Sequence, residues 1–507
     1  MAASVATLWL SPLVPLQELR LNDVASPRSD AGHPPGLFML FFAEMWERFC
    51  FYGMRSLLTL YMVSEVFKYS DEKATSVYGS YNALIYLTPI FGGLIADRLL
   101  GYRWAILLGG LLMAIGQFTL VVQQEFFFYA GMAFMVVGNG LFKPNISTLV
   151  GRLYAPGDSR RDAGFTIFYI GINVGAFLST MICGYFAQTK DWTTGFGIAG
   201  VGMLLGLVTF GLGRARLGGH GEPPKPAAIS GNLMKVAIGA LLCVPGVFLL
   251  LSEDKAVKTL LIGAIVVVLG SLFVTALREE KQQREKMFVL LVLWFFHMMF
   301  WTFFEQAGTS LTLFTDRNID RMLGSYEFPS AWGQFFNPLF ILVFGSLFTL
   351  LWMRLGKVGR DPSIPTKFGL ALVQLGAGFG VLVLAAPAAR ESGLVPLLIL
   401  VVCYLLHTTG ELCISPVGLS AVTKLAPPRM TGMVMGAWFL SIAAAHKVAA
   451  MIAGETGAAG GEGMTAAQTL PIYTEVFEQI TYYSVAAGVL IIVLGGAFLK
   501  RWLHGVK

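Results

Sequence analysis

Apolar residues in this chain run in blocks rather than in amphipathic stripes. Residues 105–122, 260–276, 368–386 and 484–499 contain no charged side chain at all. A helix needs about 20 apolar residues to cross a hydrocarbon core about 30 Å thick, and on that criterion about fourteen segments qualify. Buried helices of a large soluble core would be shorter and flanked by far more charge. The pattern therefore predicts an all-α membrane protein.

The blocks fall into groups. About six spans fit within residues 37–213 and about six more within 287–499. Between them, the linker 214–286 holds a polar Pro/Gly-rich stretch (218–230), then two further apolar helices near 236–251 and 260–276. No charge lies within that extra pair, which reads as scaffold rather than pathway. Residues 1–36 precede the first bundle as a cytoplasmic segment, and 500–507 follow the second as a tail. Residues 1–16 lack the basic stretch of a signal peptide, so insertion by the first long helix, near Leu37, is the simpler reading.

Composition agrees. Hydrophobic residues make up 55% of the 507 and charged residues 13%, against roughly 25% charged in soluble domains. The five cysteines (Cys50, Cys183, Cys243, Cys403, Cys413) are scattered through predicted spans, where free cysteine behaves as a small hydrophobe. Disulfides and metal clusters are not expected. The net charge of +6 is explained by topology, not by nucleic acid. Arg98, Arg103, Arg152, Arg160, Arg161, Arg214, Arg216, Lys281, Arg284, Arg354, Lys357, Lys424, Arg429, Lys500 and Arg501 all fall in one alternating set of loops. That bias places both termini in the cytoplasm, which requires an even number of spans.

Ionisable residues inside a span cost at least about 2.5 kcal/mol each on insertion scales, so each needs a reason. The first span carries Glu44, Glu47, Arg48 and Arg55, which at 100° per residue share one stripe with Tyr52 at its edge. They must line a polar cavity. Lys143 sits beside Pro144 in the fourth span, and Tyr169 and Asn173 share a face of the fifth. The seventh offers His297, Trp301 and Glu305 at four-residue steps; the tenth, His407 and Glu411, then Ser415 and Pro416; the eleventh, Trp438, His446 and Lys447. The histidines read as hydrogen-bonded core residues, and spacing alone does not separate packing or interfacial anchoring from function for the tryptophans. A buried carboxylate whose cation partner can move away holds a proton when unpaired and releases it when paired. That is the requirement for coupling a solute to a proton gradient.

Segment 92–103, GGLIADRLLGYR, resembles the loop signature between helices two and three of the major facilitator superfamily, with Asp97 and Arg98 able to form a charge latch. The intramembrane residues resemble one branch of it, the proton-dependent oligopeptide transporter family of prokaryotic type. Glu44 to Phe49 is similar to its ExxER-F element, Gly138 to Ser147 to its GNGxxKPNIS segment, Phe168 to Gly175 to its FYxxINxG signature, and Gly410 to Gly418 to its tenth-helix motif. The resemblance spans 37–499 and implies two six-helix bundles rocking about a midplane site, plus the two extra helices. It implies proton coupling by Glu44, Glu47, Arg48, Glu305 and Glu411. It implies gating pairs Arg55–Glu305 and Lys143–Glu411, with Lys143 sensing the substrate carboxylate and Glu411 receiving the peptide amino group. Pocket positions implied are Tyr52, Arg55, Tyr86, Lys143, Asn173, Trp301, Asn337, Glu411, Ser415 and Trp438. Two departures stand out: Gly79 where animal members carry a histidine, and Phe51 where a tyrosine is frequent.

The expectation is therefore an inner-membrane symporter of di- and tripeptides with protons. It needs no cofactor beyond the proton gradient, no nucleic acid and no obligatory protein partner. Carriage of nitrate or another small metabolite on the same fold is the alternative, disfavoured because Glu411 has a use for an ammonium and none for an anion. A membrane-embedded enzyme subunit would show metal, haem or catalytic dyads, and primary transport would show a GxxxxGK[ST] phosphate loop; neither is found.

Overall fold

A computed structural model describes residues 32–155, 157–460 and 463–506. Residues 1–34 and 35–507 separate into two units; the question of a leader at 1–16 lies outside the described residues. The second unit, from Pro35 onward, carries the helices.

The chain is almost wholly helical because long apolar runs must satisfy their own backbone groups where no water is available. The helices are α1 (Pro35–Val63), α2 (Asp71–Leu87), α3 (Pro89–Ile95), α4 (Gly101–Thr119), α5 (Glu125–Arg152), α6 (Arg161–Thr189), α7 (Trp192–Gly213), α8 (Ile229–Ser252) and α9 (Asp254–Arg278). They continue with α10 (Lys281–Phe304), α11 (Ser310–Asn318), α12 (Phe336–Lys357), α13 (Ile364–Ala385), α14 (Leu397–Leu425), α15 (Thr431–Gly454) and α16 (Ala466–Leu494). Among the described residues, twelve helical stretches are long and apolar enough to cross a membrane. Asp71–Thr119 counts as one of them, and α1, which carries Glu44, Glu47, Arg48 and Arg55, is not among them. This is a multi-pass membrane protein.

Local chemistry sets the joints. Pro89 opens α3 directly after the Thr88 cap of α2, and a π-turn over Ala96–Leu100 carries the chain to Gly101. Gly101 adopts φ +70°, which glycine tolerates without steric cost, and α4 begins there. Asp191 caps α7: its carboxylate accepts from the amide of Thr194 at 2.7 Å and from that residue's hydroxyl at 2.9 Å. These bonds hold the Asp191 carboxyl below its ordinary range.

Packing is inside out relative to a soluble protein. Leu212, Leu384 and Leu242 are 83%, 81% and 73% exposed on the periphery, where acyl chains would cover them, while the charges lie inside. In the first half, α1 packs on α6 and α7, and α4 on α5; in the second, α13 packs on α14 and α16, and α10 on α15. The halves meet where α15 crosses α2 and where the turn at 330–335 lies on α6. At that same end, Arg317 clamps Asp71 at 2.5 and 2.9 Å, Trp332 donates to the Met181 carbonyl at 2.9 Å, and Gln188 donates to Ser330 at 2.7 Å. Small strand pairs, Ile319–Asp320 with Val395–Pro396 and Met322–Leu323 with Tyr326–Glu327, finish the loops there.

Of the two extra helices, α8 lies on α5 of the first half, and α9 lies on α10 and α15 of the second. Only Glu253 separates them. By sequence the pair is uncharged scaffold, but in the structure the first residue of α9 has a role of its own. Asp254 takes the ammonium of Lys447 on α15 and the hydroxyl of Ser76 on α2, and Lys447 also donates to Ser80 at 3.0 Å.

Candidate functional site

Four ionisable side chains converge where α1 faces α5. Glu44 and Glu47 are fully buried and Arg48 is 5% exposed. Arg48 holds Glu47 with two nitrogens, its Nη2 donating to Oε1 at 2.5 Å, and its Nε stands 3.4 Å from Glu44 Oε1. Lys143 Nζ reaches the same Glu44 oxygen at 2.5 Å. Two carboxylates and two cations therefore neutralise one another in low dielectric, where an unpaired charge would be costly. Glu44 Oε2 is left buried with no partner among the described residues.

Two turns further along α1, Arg55 crosses to the second half. Its Nη2 pairs with Glu305 Oε2, at the end of α10, and its Nε donates to the Tyr78 hydroxyl at 2.6 Å. One turn on, Thr59 donates to the Gly308 carbonyl at 2.6 Å. Gly79 matters here for close approach: a Cβ at that position would lie 2.8 Å from the His446 carbonyl oxygen.

Beneath this contact lies a cavity of about 140 Å³ between α1, α6, α12 and α14. Tyr52, Arg55, Asn173, Asn337 and Glu411 all line it. Glu411 is 8% exposed and accepts from Asn337 Nδ2 at 2.7 Å; no ion pair to it is seen among the described residues. The Asn337 amide also donates to Thr408 at 3.2 Å. A wall with a guanidinium on one side and an uncompensated carboxylate on the other suits a small zwitterion.

Several expected pocket residues stand elsewhere. Lys143 is on Glu44 rather than Glu411, because Glu44 faces it within the same half while Glu411 hangs from α14 on the far wall. Trp301 donates to His297 Nε2 at 2.9 Å, and Trp438 packs on the same imidazole at 4.3 Å; neither indole is among the residues lining the cavity. Tyr86 stacks on His446, and the Ser415 hydroxyl is buried without a partner among the described residues. Asp97 accepts from Tyr102, which in turn accepts from Arg152 at 2.7 Å. That cluster stays within the first half, and Arg98 is exposed without an ion pair among the described residues. The cavity adds Tyr169, Gln334 and Tyr404 to the expected set. Tyr169 is legible in the sequence as the same-face neighbour of Asn173, whereas nothing in local spacing marks Gln334 or Tyr404.

Known proteins share this fold. The sequence profile of the POT family matches residues 103–499. The chain is 37% identical over 496 residues to the uncharacterized transporter YclF of Bacillus subtilis, covering 94% of this chain and 96% of that one. It is 37% identical over 453 residues to the peptide transporter YePEPT of Yersinia enterocolitica, covering 84% and 89%. A crystal structure of the peptide transporter POT in complex with sulfate superposes with a TM-score of 0.81 at 36% identity, covering 94% of this chain and 97% of that one.

Proposed function

This chain belongs to the POT family, and on that premise we propose that it imports di- and tripeptides together with protons by alternating access. The family and its solved members are transporters, not enzymes. The observation that carries the reading is the charge balance of the interior. Arg48, Lys143 and Arg55 each rest against a carboxylate, while Glu411 faces the cavity with only an amide. Its missing cation arrives with the substrate as the peptide ammonium. Nitrate would bring a second negative charge to that wall.

The cycle uses the remaining pairs as switches. Glu44, Glu47 and Arg48 carry the proton coupling, with Lys143 free to leave Glu44 for the substrate carboxylate or for Glu411. Arg55 and Glu305 close the outer end, so the conformation described here is closed outside. In this reading the domains are 1–36, 37–213, 214–286, 287–499 and 500–507. The span count is fourteen, for a reason of length. Asp71–Thr119, with 49 residues, would be about 74 Å long as one helix at 1.5 Å per residue, more than twice the hydrocarbon thickness. It therefore crosses twice, about Gly101, and α1 adds a charged but buried span. The basic loops lie in the cytoplasm with both termini, in the inner membrane. The proton gradient is the only driving agent, and no nucleic acid or obligatory protein partner is needed.

The test uses protein purified into sealed liposomes under an inward proton gradient, following labelled dialanine. Concentrative uptake that collapses with an ionophore and is absent in Glu47→Gln supports the reading. No uptake by folded native protein would sink the peptide assignment.

A further inference from the structure

Beside the Arg55–Glu305 pair stands a group that the transport cycle leaves unused. His446, in the second half of α15, is 1% exposed, and both ring nitrogens lack a hydrogen-bond partner among the described residues. Buried polar groups are ordinarily satisfied, and an exception needs an explanation. The Nδ1 atom stands 3.6 Å from Glu305 Oε2, slightly beyond hydrogen-bond range. That is the same carboxylate oxygen that Arg55 holds. The ring stacks on Tyr86 with centroids 5.2 Å apart, and the bare face of Gly79 lets α2 lie directly against this turn of α15.

We propose that His446 is a proton-carrying residue of the outer gate, competing with Arg55 for Glu305. The inference rests on the proton-coupled reading only in taking the Arg55–Glu305 pair to separate when the outer end opens. Separation would strand the Glu305 carboxylate in low dielectric. His446 then takes one proton from water entering at that end, and Nδ1–H donates to Glu305 after a shift of about half an ångström. Closure returns the guanidinium, placing two cations on one carboxylate. Guanidinium does not give up a proton in a protein and imidazolium does. The proton therefore leaves His446 as hydronium, into the cavity that Arg55 itself lines. One proton is gained on opening and one released on closing, and no other bond changes.

The charged and titratable neighbours support this assignment. Glu305 from the end of α10, Arg55 from α1 and Tyr86 from α2 face the ring; Tyr78 on α2 is bonded to Arg55. Lys447, next in the chain, is turned onto Asp254 of α9 and onto Ser76 and Ser80 of α2. His297 on α10 is committed to Ser441 and Trp301. On α14, Tyr404 and Glu411 line the cavity and His407 sits beside Cys403.

The experiment reads gate opening without any substrate. Glu65 and Glu327 are exposed at the end where the halves meet, and among the cysteines only Cys243 is exposed. Spin labels at Glu65→Cys and Glu327→Cys, in a Cys243→Ser background, report the width of that end by pulsed dipolar spectroscopy. Native protein should populate the wide state increasingly as pH falls from about 8 to about 5, the window in which histidine changes charge. His446→Gln, and His446→Phe, which keeps the stack on Tyr86, should each reduce that pH-driven change in population ratio by about tenfold. Thermal melting confirms that both variants fold. A pH response that survives in both variants, or one absent from the native protein, overturns the proposal. pH-driven opening without dialanine uptake would instead sink the peptide reading and leave the role of His446 standing.

Discussion

Lys143 and Glu44 meet at 2.5 Å on two helices of the same half, while the carboxylate of Glu411 faces the cavity from the other half. The interior thus holds a cation already engaged and a carboxylate still waiting for one. This arrangement sets what each substitution should do.

Lys143→Ala should leave Glu44 with Arg48 alone and cut proton-driven uptake by about tenfold or more, because a buried carboxylate losing one of two cations is strongly destabilised. Lys143→Arg should restore part of it. Initial rates of labelled dialanine uptake under a fixed proton gradient check this, and undiminished uptake in Lys143→Ala would remove the pair from the mechanism.

Glu411→Gln should raise the KM for dialanine by about tenfold or more, the loss expected when a charge-assisted bond becomes neutral. The same variant should bind N-acetyl-dialanine as the native protein does. Competition assays with the two ligands decide. Equal losses for both would mean that Glu411 does not read the amino group. Asn337→Ala, which removes only the amide at 2.7 Å, should cost less.

Asp254→Ala should expose a buried mismatch, since the Lys447 side chain is only 6% exposed. We expect a thermal midpoint lowered by about 1 °C for each kcal/mol lost in a chain of this length. The double variant with Lys447→Met should recover most of it, because removing both partners is milder than stranding one. Additive losses in that cycle would show that the two residues do not depend on each other.

The Asp191 carboxyl is held below its ordinary range by the Thr194 amide and hydroxyl. Its contribution to stability is therefore fully present above the unfolded-state value and is lost as pH falls through the folded-state value. Asp191→Asn should flatten that part of the acid-side stability profile without changing the neutral midpoint much, since asparagine also caps helices. Thermal melts from about pH 3 to about pH 6 bracket the range in which aspartate titrates.

Much of the architecture is legible along the chain, because apolar runs of span length have one stable solution in a bilayer. The stripe of Glu44, Glu47, Arg48 and Arg55 is equally legible, since helical spacing alone puts those four on one face. Partners are not. Spacing says that Lys143 must face something polar, but only the packing of α5 against α1 selects Glu44 over Glu411. Trp301 and Trp438 are drawn to His297 by a hydrogen bond and a ring contact, the second of them between helices far apart in sequence. Asp254 is invisible for another reason. By sequence it is an ordinary charge at the water interface, and its importance comes from Lys447, nearly two hundred positions later.

The α8–α9 hairpin has a mechanical consequence. One of its arms rides on α5 of the first half and the other mainly on α10 and α15 of the second, with its start also tied to α2 through Ser76, and a single residue, Glu253, joins them. If the two halves rock, the arms must scissor about that residue. So short a joint has little slack, and the hairpin sets a limit on the stroke. Lengthening it by a few glycines would leave the cavity untouched and let the end beside it swing wider.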